Sequence, residues 1–236
     1  MQILALLALL VFSSFAVHAG EKLTVVADLW PPYITQEDGK LGGRSTLIVR
    51  KILNQAAIPY ELQIIPWARA YEMAQSQENV LIFTLVRTEA RENQFKWVAE
   101  LHPNDPTHIF GIGVRQKKLS TLTDAKNHMI AAVRNSMSVE ALISKGFKVG
   151  ENIVLTNDDQ AAIRLAEMGR TDFVATSQNT INSYVKRHPY LTETVEKGPN
   201  LLDSRLYLAA SRMTDTQIVE KLRTAFSVIV KQSPTN

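Results

Sequence analysis

Near its middle the chain reads Leu81-Ile-Phe-Thr-Leu-Val-Arg-Thr-Glu-Ala-Arg-Glu-Asn-Gln-Phe-Lys-Trp97. Apart from Thr84, the first six of these residues are apolar, which predicts a buried strand. Arg87, Thr88 and Arg91 follow at once, and Thr88 can cap a short turn. Backbone N–H groups, a hydroxyl and two guanidinium groups at one point suit a carboxylate or another oxyanion. The pattern therefore predicts an anion site.

Two interpretations of these arginines are open. Most arginines are solvated surface residues, and both could be such charges. However, Arg87 and Arg91 follow the C-terminal end of a predicted strand. Open α/β sheets bind their ligands beyond the carboxyl ends of the strands, so the position favours the binding site.

The N-terminus has the pattern of a secretory signal. The apolar run Ile3–Val17 is shorter than the roughly 20 residues that a bilayer span requires. Compact residues precede a predicted cut between Ala19 and Gly20. We expect residues 1–19 to be removed as a signal peptide, leaving a soluble periplasmic protein.

Composition excludes several other classes of protein. The 236 residues contain no cysteine, so neither a disulfide nor a lipid-modified N-terminal cysteine is expected. The net charge is +3 and the basic residues are dispersed, which does not support nucleic-acid binding. The five histidines show no metal-ligand spacing. We therefore predict no metal and no cofactor, and we expect a monomer.

Aromatic residues follow the first predicted strand, Leu23–Ala27. That strand runs into Asp28-Leu-Trp-Pro-Pro-Tyr33, where two prolines force an extended loop. Trp30 and Tyr33 either close the core or stack on a ligand, and both interpretations are open. Trp67 begins a predicted helix and could also face a cleft.

The order of the elements predicts the sheet. A helix at 45–56, a strand at 60–65 and a helix from Pro66 separate the first strand from the strand that begins at Leu81. This β-α-β-α-β order implies a parallel sheet covered by helices, with the Trp30 loop and the Arg87–Arg91 turn at one edge. After a crossover at 102–106 comes a second α/β series, and a strand from Leu206 and a last helix end the chain.

This layout resembles the family 3 extracellular solute-binding proteins, the periplasmic receptors of polar amino-acid importers. The resemblance covers essentially the whole chain after residue 19 and rests on the order and spacing of several segments. These are Trp30-Pro-Pro-Tyr33, Thr84 with Arg87-Thr-Glu-Ala-Arg91, Phe95-Lys-Trp97, Arg134-Asn-Ser-Met-Ser138 and Met168-Gly-Arg-Thr-Asp-Phe173.

The resemblance implies an α/β fold of two lobes, the type II fold of periplasmic binding proteins, in which each lobe is a helix-covered mixed sheet. The first lobe would comprise residues 20–108 and 204–236, and the second lobe residues 109–203. The ligand would be clamped between the lobes.

The resemblance also implies roles for single residues. Arg91 matches the arginine that pairs with an amino acid's α-carboxylate, Thr84 a hydroxyl at the same site, and Trp30 the aromatic ring that stacks on the ligand. The turn Ser136–Ser138 matches the N–H groups that complete the carboxylate site. The candidate ligand-binding residues are Arg91, Thr84, Trp30, Arg87, Tyr33, Trp67, Arg134, Ser136, Ser138 and Ser177.

One position departs from the family. Amino-acid binders carry an aspartate or glutamate just after the strand that begins at Asp172-Phe173, where this chain reads Ala175-Thr-Ser-Gln178. Arg87 and Arg134 add positive charge. The departure predicts a preference for carboxylates or other compact anions over zwitterionic amino acids, unless Asp28 or Glu140 supplies the missing charge.

Binding is thus the predicted function, with a small anionic or zwitterionic solute delivered to an ABC-type membrane permease. A receptor domain that passes the ligand signal to a sensor protein is the alternative. A dehydratase-like enzyme on the same fold would need a general acid. Glu89, Glu140 and Asp28 lie near the predicted site but have no evident basic or nucleophilic partner in the sequence, so we expect no enzymatic activity.

Overall fold

The computed structural model of the protein describes residues 22–114 and 116–232. The predicted signal peptide, residues 1–19, lies outside these ranges. The strands are β1 (Leu23–Ala27), β2 (Thr35–Glu37), β3 (Lys40–Gly42), β4 (Tyr60–Ile64), β5 (Val80–Val86), β6 (Phe95–His102), β7 (Thr107–Ile112), β8 (Ile130–Val133), β9 (Ile153–Thr156), β10 (Phe173–Ser177), β11 (Val195–Leu202) and β12 (Leu206–Ser211). The helices are α1 (Arg44–Gln55), α2 (Trp67–Ser76), α3 (Leu122–Ala125), α4 (Met137–Ser144), α5 (Asp159–Glu167), α6 (Gln178–Arg187) and α7 (Thr216–Gln232).

The first lobe is built on a mixed sheet with the strand order β4-β1-β5-β12-β6. β1 runs parallel to β4 and β5, which confirms the predicted β-α-β-α-β unit, and β12 runs antiparallel to β5 and β6. Alternate residues of β1 face opposite sides. Val25 packs into the core with α1 and α7, whereas Val26 packs into the core with α2.

The second lobe is built on a sheet with the order β11-β7-β10-β8-β9. β8 is parallel to β9 and β10, and β7 is antiparallel to β10 and β11. Helices cover this sheet as well, with residues of α4 in one apolar cluster and residues of α5 and α6 in the other. The fold is therefore the predicted α/β arrangement of two lobes, each a mixed sheet covered by helices.

The chain passes between the lobes twice, from β6 to β7 and from β11 to β12. The two crossings are bonded to each other, because the Asp105 amide donates to the Ser204 carbonyl at 2.9 Å and the Ser204 hydroxyl donates to the Asp105 carbonyl at 2.5 Å. The second sheet begins at Thr107. The predicted division of the chain into 20–108 with 204–236 and 109–203 stays a prediction.

The sequence patterns do not predict four of the strands, β2, β3, β6 and β11. β11 reads Val-Glu-Lys-Gly-Pro-Asn-Leu-Leu, contains glycine and proline, and shifts its register against β7. Such residues are tolerated because β11 lies at the edge of its sheet. Within residues 22–114 and 116–232, none of the helices has the length and apolarity that a membrane crossing requires.

Candidate functional site

A cavity of about 50 Å³ lies between the two lobes. It is bounded by the loop after β1, the bulged end of β5 and the start of α2 from the first lobe. The second lobe contributes the turns after β8, β9 and β10. The lining residues are Asp28, Leu29, Trp30, Trp67, Thr84, Val86, Arg91, Val133, Ser136, Met137, Ser138, Asp159, Thr176 and Ser177. These segments follow strand ends, as expected for a ligand site in an α/β sheet.

Thr84 interrupts β5 at the cavity. Its φ angle of 60° is unusual for a β-branched residue, and the pairing with β12 skips it, since Leu85 pairs with Tyr207 and Phe83 with Leu208. The bulge reverses the alternation of the strand, so Leu85 joins the same apolar cluster as Ile82. Thr84 is thereby placed at the cavity instead of in a regular strand pairing.

Arg91 is buried at the cavity wall, with 1% of its surface exposed. Its guanidinium carbon lies 4.9 Å from the centre of the Tyr71 ring, and its Nη1 donates to the Val86 carbonyl at 3.4 Å. Thr88 precedes the turn that carries Arg91, but the prediction that its side chain caps this turn is wrong. Its hydroxyl is buried without a hydrogen-bond partner, and the turn relies on backbone bonds.

Glu140 of the second lobe occupies the inner side of Arg91. Its Oε1 accepts hydrogen bonds from Arg91 Nε at 3.0 Å and from Arg91 Nη2 at 2.6 Å. The same Nη2 donates to the Asn135 carbonyl at 3.2 Å. Arg91 therefore already binds a carboxylate, and this carboxylate comes from the opposite lobe.

The turn between β8 and α4 brings polar groups to the cavity. Asn135 has a φ angle of 57°, and the Ser136 side chain then caps α4 by accepting from the Val139 amide at 3.4 Å. Ser138 is 4% exposed, and no side-chain hydrogen bond of its hydroxyl occurs in the described parts of the chain. A hydroxyl at a cavity wall without a protein partner can form a hydrogen bond with a polar ligand.

Two carboxyl groups, Asp28 and Asp159, also line the cavity. Burial raises the pKa of Asp28 to about 6, although the backbone amides of Leu29 and Trp67 favour its charged form. Burial likewise raises the pKa of Asp159 to about 6, against the hydrogen bond that Thr176 donates at 2.5 Å. The negative charge of Asp28 raises the pKa of Asp159 further.

Sequence reasoning missed Asp159 as a site residue. Its segment, Asn157-Asp-Asp-Gln160, indicates only a helix start, and Asp158 does cap α5 by accepting from the Ala161 amide at 2.7 Å. The next residue, Asp159, faces the cavity beside Thr176 of β10. A turn next to the one after β10 thus places an acid at the cavity, and no signal in the sequence joins the two turns.

Trp30 and Trp67 both line the cavity and bind the second lobe. Trp30 Nε1 donates to the Thr180 hydroxyl at 2.6 Å, and Trp67 Nε1 donates to the Asn135 carbonyl at 2.9 Å. Both rings can therefore contact a ligand while their N–H groups hold the lobes together.

Three of the predicted site residues lie away from the cavity. Arg87 pairs with the exposed Glu92 and lies over the Trp97 ring. Tyr33 is 1% exposed and belongs to the core, where its hydroxyl accepts a hydrogen bond from Asn179. Arg134 is exposed and lines a separate groove beside α2 of the first lobe. The other candidates, Arg91, Thr84, Trp30, Trp67, Ser136, Ser138 and Ser177, line the cavity together. No cluster of metal-ligating side chains occurs among residues 22–114 and 116–232.

Solved structures with the same fold include amino-acid-binding proteins and a sensor domain. The arginine-, lysine-, histidine-binding protein ArtJ of Geobacillus stearothermophilus superposes with a TM-score of 0.78 at 19% identity, over 89% of this chain and 90% of that one. A histidine kinase sensor domain with similarity to periplasmic binding proteins has a TM-score of 0.78 at 18% identity, over 90% and 91% of the two chains. An ancestral arginine-binding protein bound to arginine has a TM-score of 0.77 at 18% identity, over 89% and 93%.

No protein-family model matches the chain. At these identities the likeness shows the fold, which is the two-lobed fold of periplasmic binding proteins. The chain is thus similar in architecture to proteins that bind amino acids.

Proposed function

We propose that this protein is a periplasmic solute-binding protein of the family 3 type, which clamps a small carboxylate-bearing ligand between its two lobes. The observation that carries the proposal is Arg91, a buried arginine at the cavity wall that already binds a carboxylate oxygen of Glu140. A guanidinium group without water needs an anionic partner, and a carboxylate is the group that matches its fork.

The ligand class that we propose is an amino acid or a closely related amino-bearing acid. Arg91 and the turn at Ser136–Ser138 suit the carboxylate, whereas Asp28 and Asp159 suit an ammonium group at the same cavity. The sequence-based expectation favoured amino-free anions unless Asp28 or Glu140 supplied the missing charge, and Asp28 does line the cavity. The names of ArtJ and of the ancestral protein, which record amino-acid binding, support the same class.

We propose the periplasm as the location and an ABC-type permease as the partner that receives the ligand. The predicted signal peptide at residues 1–19 and the two-lobed fold support this assignment. The protein would act as a monomer, with residues 20–108 and 204–236 in one lobe and 109–203 in the other. We propose no catalytic activity, since the two carboxyl groups at the cavity can be explained as partners of a cationic group.

Signalling is the second candidate function. A histidine kinase sensor domain superposes on this chain as well as ArtJ does, with a TM-score of 0.78 in both cases. In that role the closed lobes would be recognised by a sensor protein and not by a permease. The ligand site would be the same.

A thermal-shift screen over amino acids, mono- and dicarboxylates and short peptides tests the proposed function. A ligand that binds only the folded protein stabilises it by about 2.7 kcal/mol at 100 times its Kd. We expect at least one amino acid to raise the melting temperature, and its deaminated acid to raise it less. A screen in which no carboxylate shifts the melting temperature would contradict the proposal. Conversion of a bound compound into a product would show that the protein is an enzyme.

A further inference from the structure

Glu140 binds Arg91 with a geometry that a ligand carboxylate can improve on. A single oxygen, Oε1, accepts both the Nε bond at 3.0 Å and the Nη2 bond at 2.6 Å. The strongest arginine–carboxylate pairs use two parallel bonds to two oxygens. Glu140 is also 36% exposed in its side chain, whereas Arg91 is 1% exposed. A compact carboxylate in the cavity can therefore replace Glu140 at Arg91, because the released Glu140 side chain can reach water.

The same pair joins the two lobes. Arg91 follows β5 of the first lobe and Glu140 lies in the first turn of α4 in the second lobe. The Asn135 carbonyl, two residues before α4, accepts from both Arg91 Nη2 at 3.2 Å and Trp67 Nε1 at 2.9 Å. Glu140 thus fixes the α4 end of the second lobe against the first lobe through protein groups alone.

One guanidinium group cannot serve two carboxylates on the same edge. The inner edge of Arg91 consists of Nε and Nη2, and Glu140 uses both. Its remaining nitrogen, Nη1, faces the Val86 carbonyl. Two carboxylates in contact would also repel each other. A ligand carboxylate and Glu140 therefore exclude each other at this edge of Arg91.

We propose that Glu140 is an internal competitor for the ligand-binding site: it pairs with Arg91 to hold the lobes together and leaves when a ligand carboxylate binds. This inference rests on the proposed function, because it takes Arg91 as the carboxylate site. Glu140 lowers the affinity for every carboxylate. The protein consequently selects ligands that make further bonds, such as an ammonium group between Asp28 and Asp159, and rejects simple carboxylates.

Acetate and its neutral counterpart acetamide test the competition. The variant Glu140→Gln removes the charge but keeps the shape, and the matched control Glu151→Gln removes a charge from the exposed Lys148–Glu151 pair of the same lobe. We expect Glu140→Gln to bind acetate about tenfold more tightly than the wild type, as a coupling of this kind allows. Glu151→Gln should bind acetate like the wild type. The affinity for neutral acetamide should be the same in the wild type and both variants. Equal acetate affinity in the wild type and Glu140→Gln would overturn the proposal.

The distance between the lobes is a second readout that needs no ligand. Since the chain has no cysteine, spin labels can be attached at Lys51→Cys in α1 and Lys186→Cys in α6, both exposed and in different lobes. We expect Glu140→Gln to shift the distance distribution to longer values, with Glu151→Gln unchanged. An unchanged distribution would overturn the role of Glu140 in holding the lobes. A longer distance together with no acetate binding in any variant would instead remove Arg91 as the carboxylate site, and with it the proposed function.

Discussion

Two single residues, Asp28 and Asp159, bring buried carboxyl groups to the cavity. Both carboxyl groups line a cavity of about 50 Å³, and burial holds the pKa of each at about 6. A charged carboxylate that loses water destabilises the folded protein unless a partner compensates for it. An ammonium group bound in the cleft would compensate for the stability that the folded protein loses by burying these two carboxyl groups.

The variant Asp159→Asn tests how much the buried carboxylate lowers the free energy of unfolding. The pKa of Asp159 is raised from 3.8 to about 6 in the folded protein, so its contribution to stability is largest below about pH 4 and is lost as the pH rises through 6. We expect the variant to be more stable than the wild type at pH 8, by about 1 to 3 kcal/mol, and the difference to vanish near pH 4. Urea denaturation at pH 4, 6 and 8 measures it.

Asp38→Asn is the matched control, because Asp38 lies on an exposed turn where asparagine is equally suited to its φ angle of 48°. Its stability should follow the wild type at each pH. An Asp159→Asn variant that is less stable than the wild type at pH 8 would show that the carboxylate is compensated within the protein, and the argument for an ammonium partner would fail.

Single residues differ in how far the sequence predicts them. Arg91 and Trp30 could be placed at the cavity, because each follows a strand end and ligand sites gather there. The Glu140–Arg91 pair could not, since the residues are 49 positions apart and lie in different lobes. The bulge at Thr84 depends on the register of β12, which no local pattern of β5 contains.

Three turns between strands and helices build the second lobe's side of the site. β8, β9 and β10 are parallel neighbours, and each is followed by a helix, α4, α5 or α6, whose first turn begins at a capping side chain. The caps are Ser136, Asp158 and Ser177. The sequence predicts these turns well, because alternating strands and helices place the polar residues after parallel strands at the same edge of the sheet.

Ser177→Ala tests the contribution of one of these caps. The Ser177 hydroxyl is fully buried, accepts from the Thr180 amide at 3.1 Å and contacts the Thr180 hydroxyl at 2.9 Å. Thr180 in turn receives the bond from Trp30 Nε1. We expect the free energy of unfolding to fall by about 1 to 2 kcal/mol, because the cap is lost and a buried hydroxyl loses a partner.

Ser144→Ala provides the comparison, since its exposed hydroxyl bonds only the Ala141 carbonyl at the end of α4. That variant should stay within about 0.5 kcal/mol of the wild type. Denaturant unfolding compares the two, and equal stability of Ser177→Ala and Ser144→Ala would show that the start of α6 does not depend on its cap.

The molecule as a whole consists of two lobes whose contacts surround the cleft. On one side Arg91 and Trp67 bind the turn at Asn135, and on the other Trp30 binds Thr180. Beside the crossings, Asn179 of α6 donates a hydrogen bond to the Asp105 side chain. The sequence predicts two α/β series joined by crossings, but the distance between them is set by these long-range bonds.

Calorimetric titration of wild type and Arg91→Ala with the amino acid that gives the largest thermal shift tests the central claim most directly. Arg87→Ala is the control, because Arg87 pairs with Glu92 outside the cavity. We predict that Arg91→Ala loses about 2 to 5 kcal/mol of binding free energy, the usual effect of removing one partner of a buried charged pair, and that Arg87→Ala binds like the wild type. Equal affinities of the wild type and a folded Arg91→Ala would contradict the account.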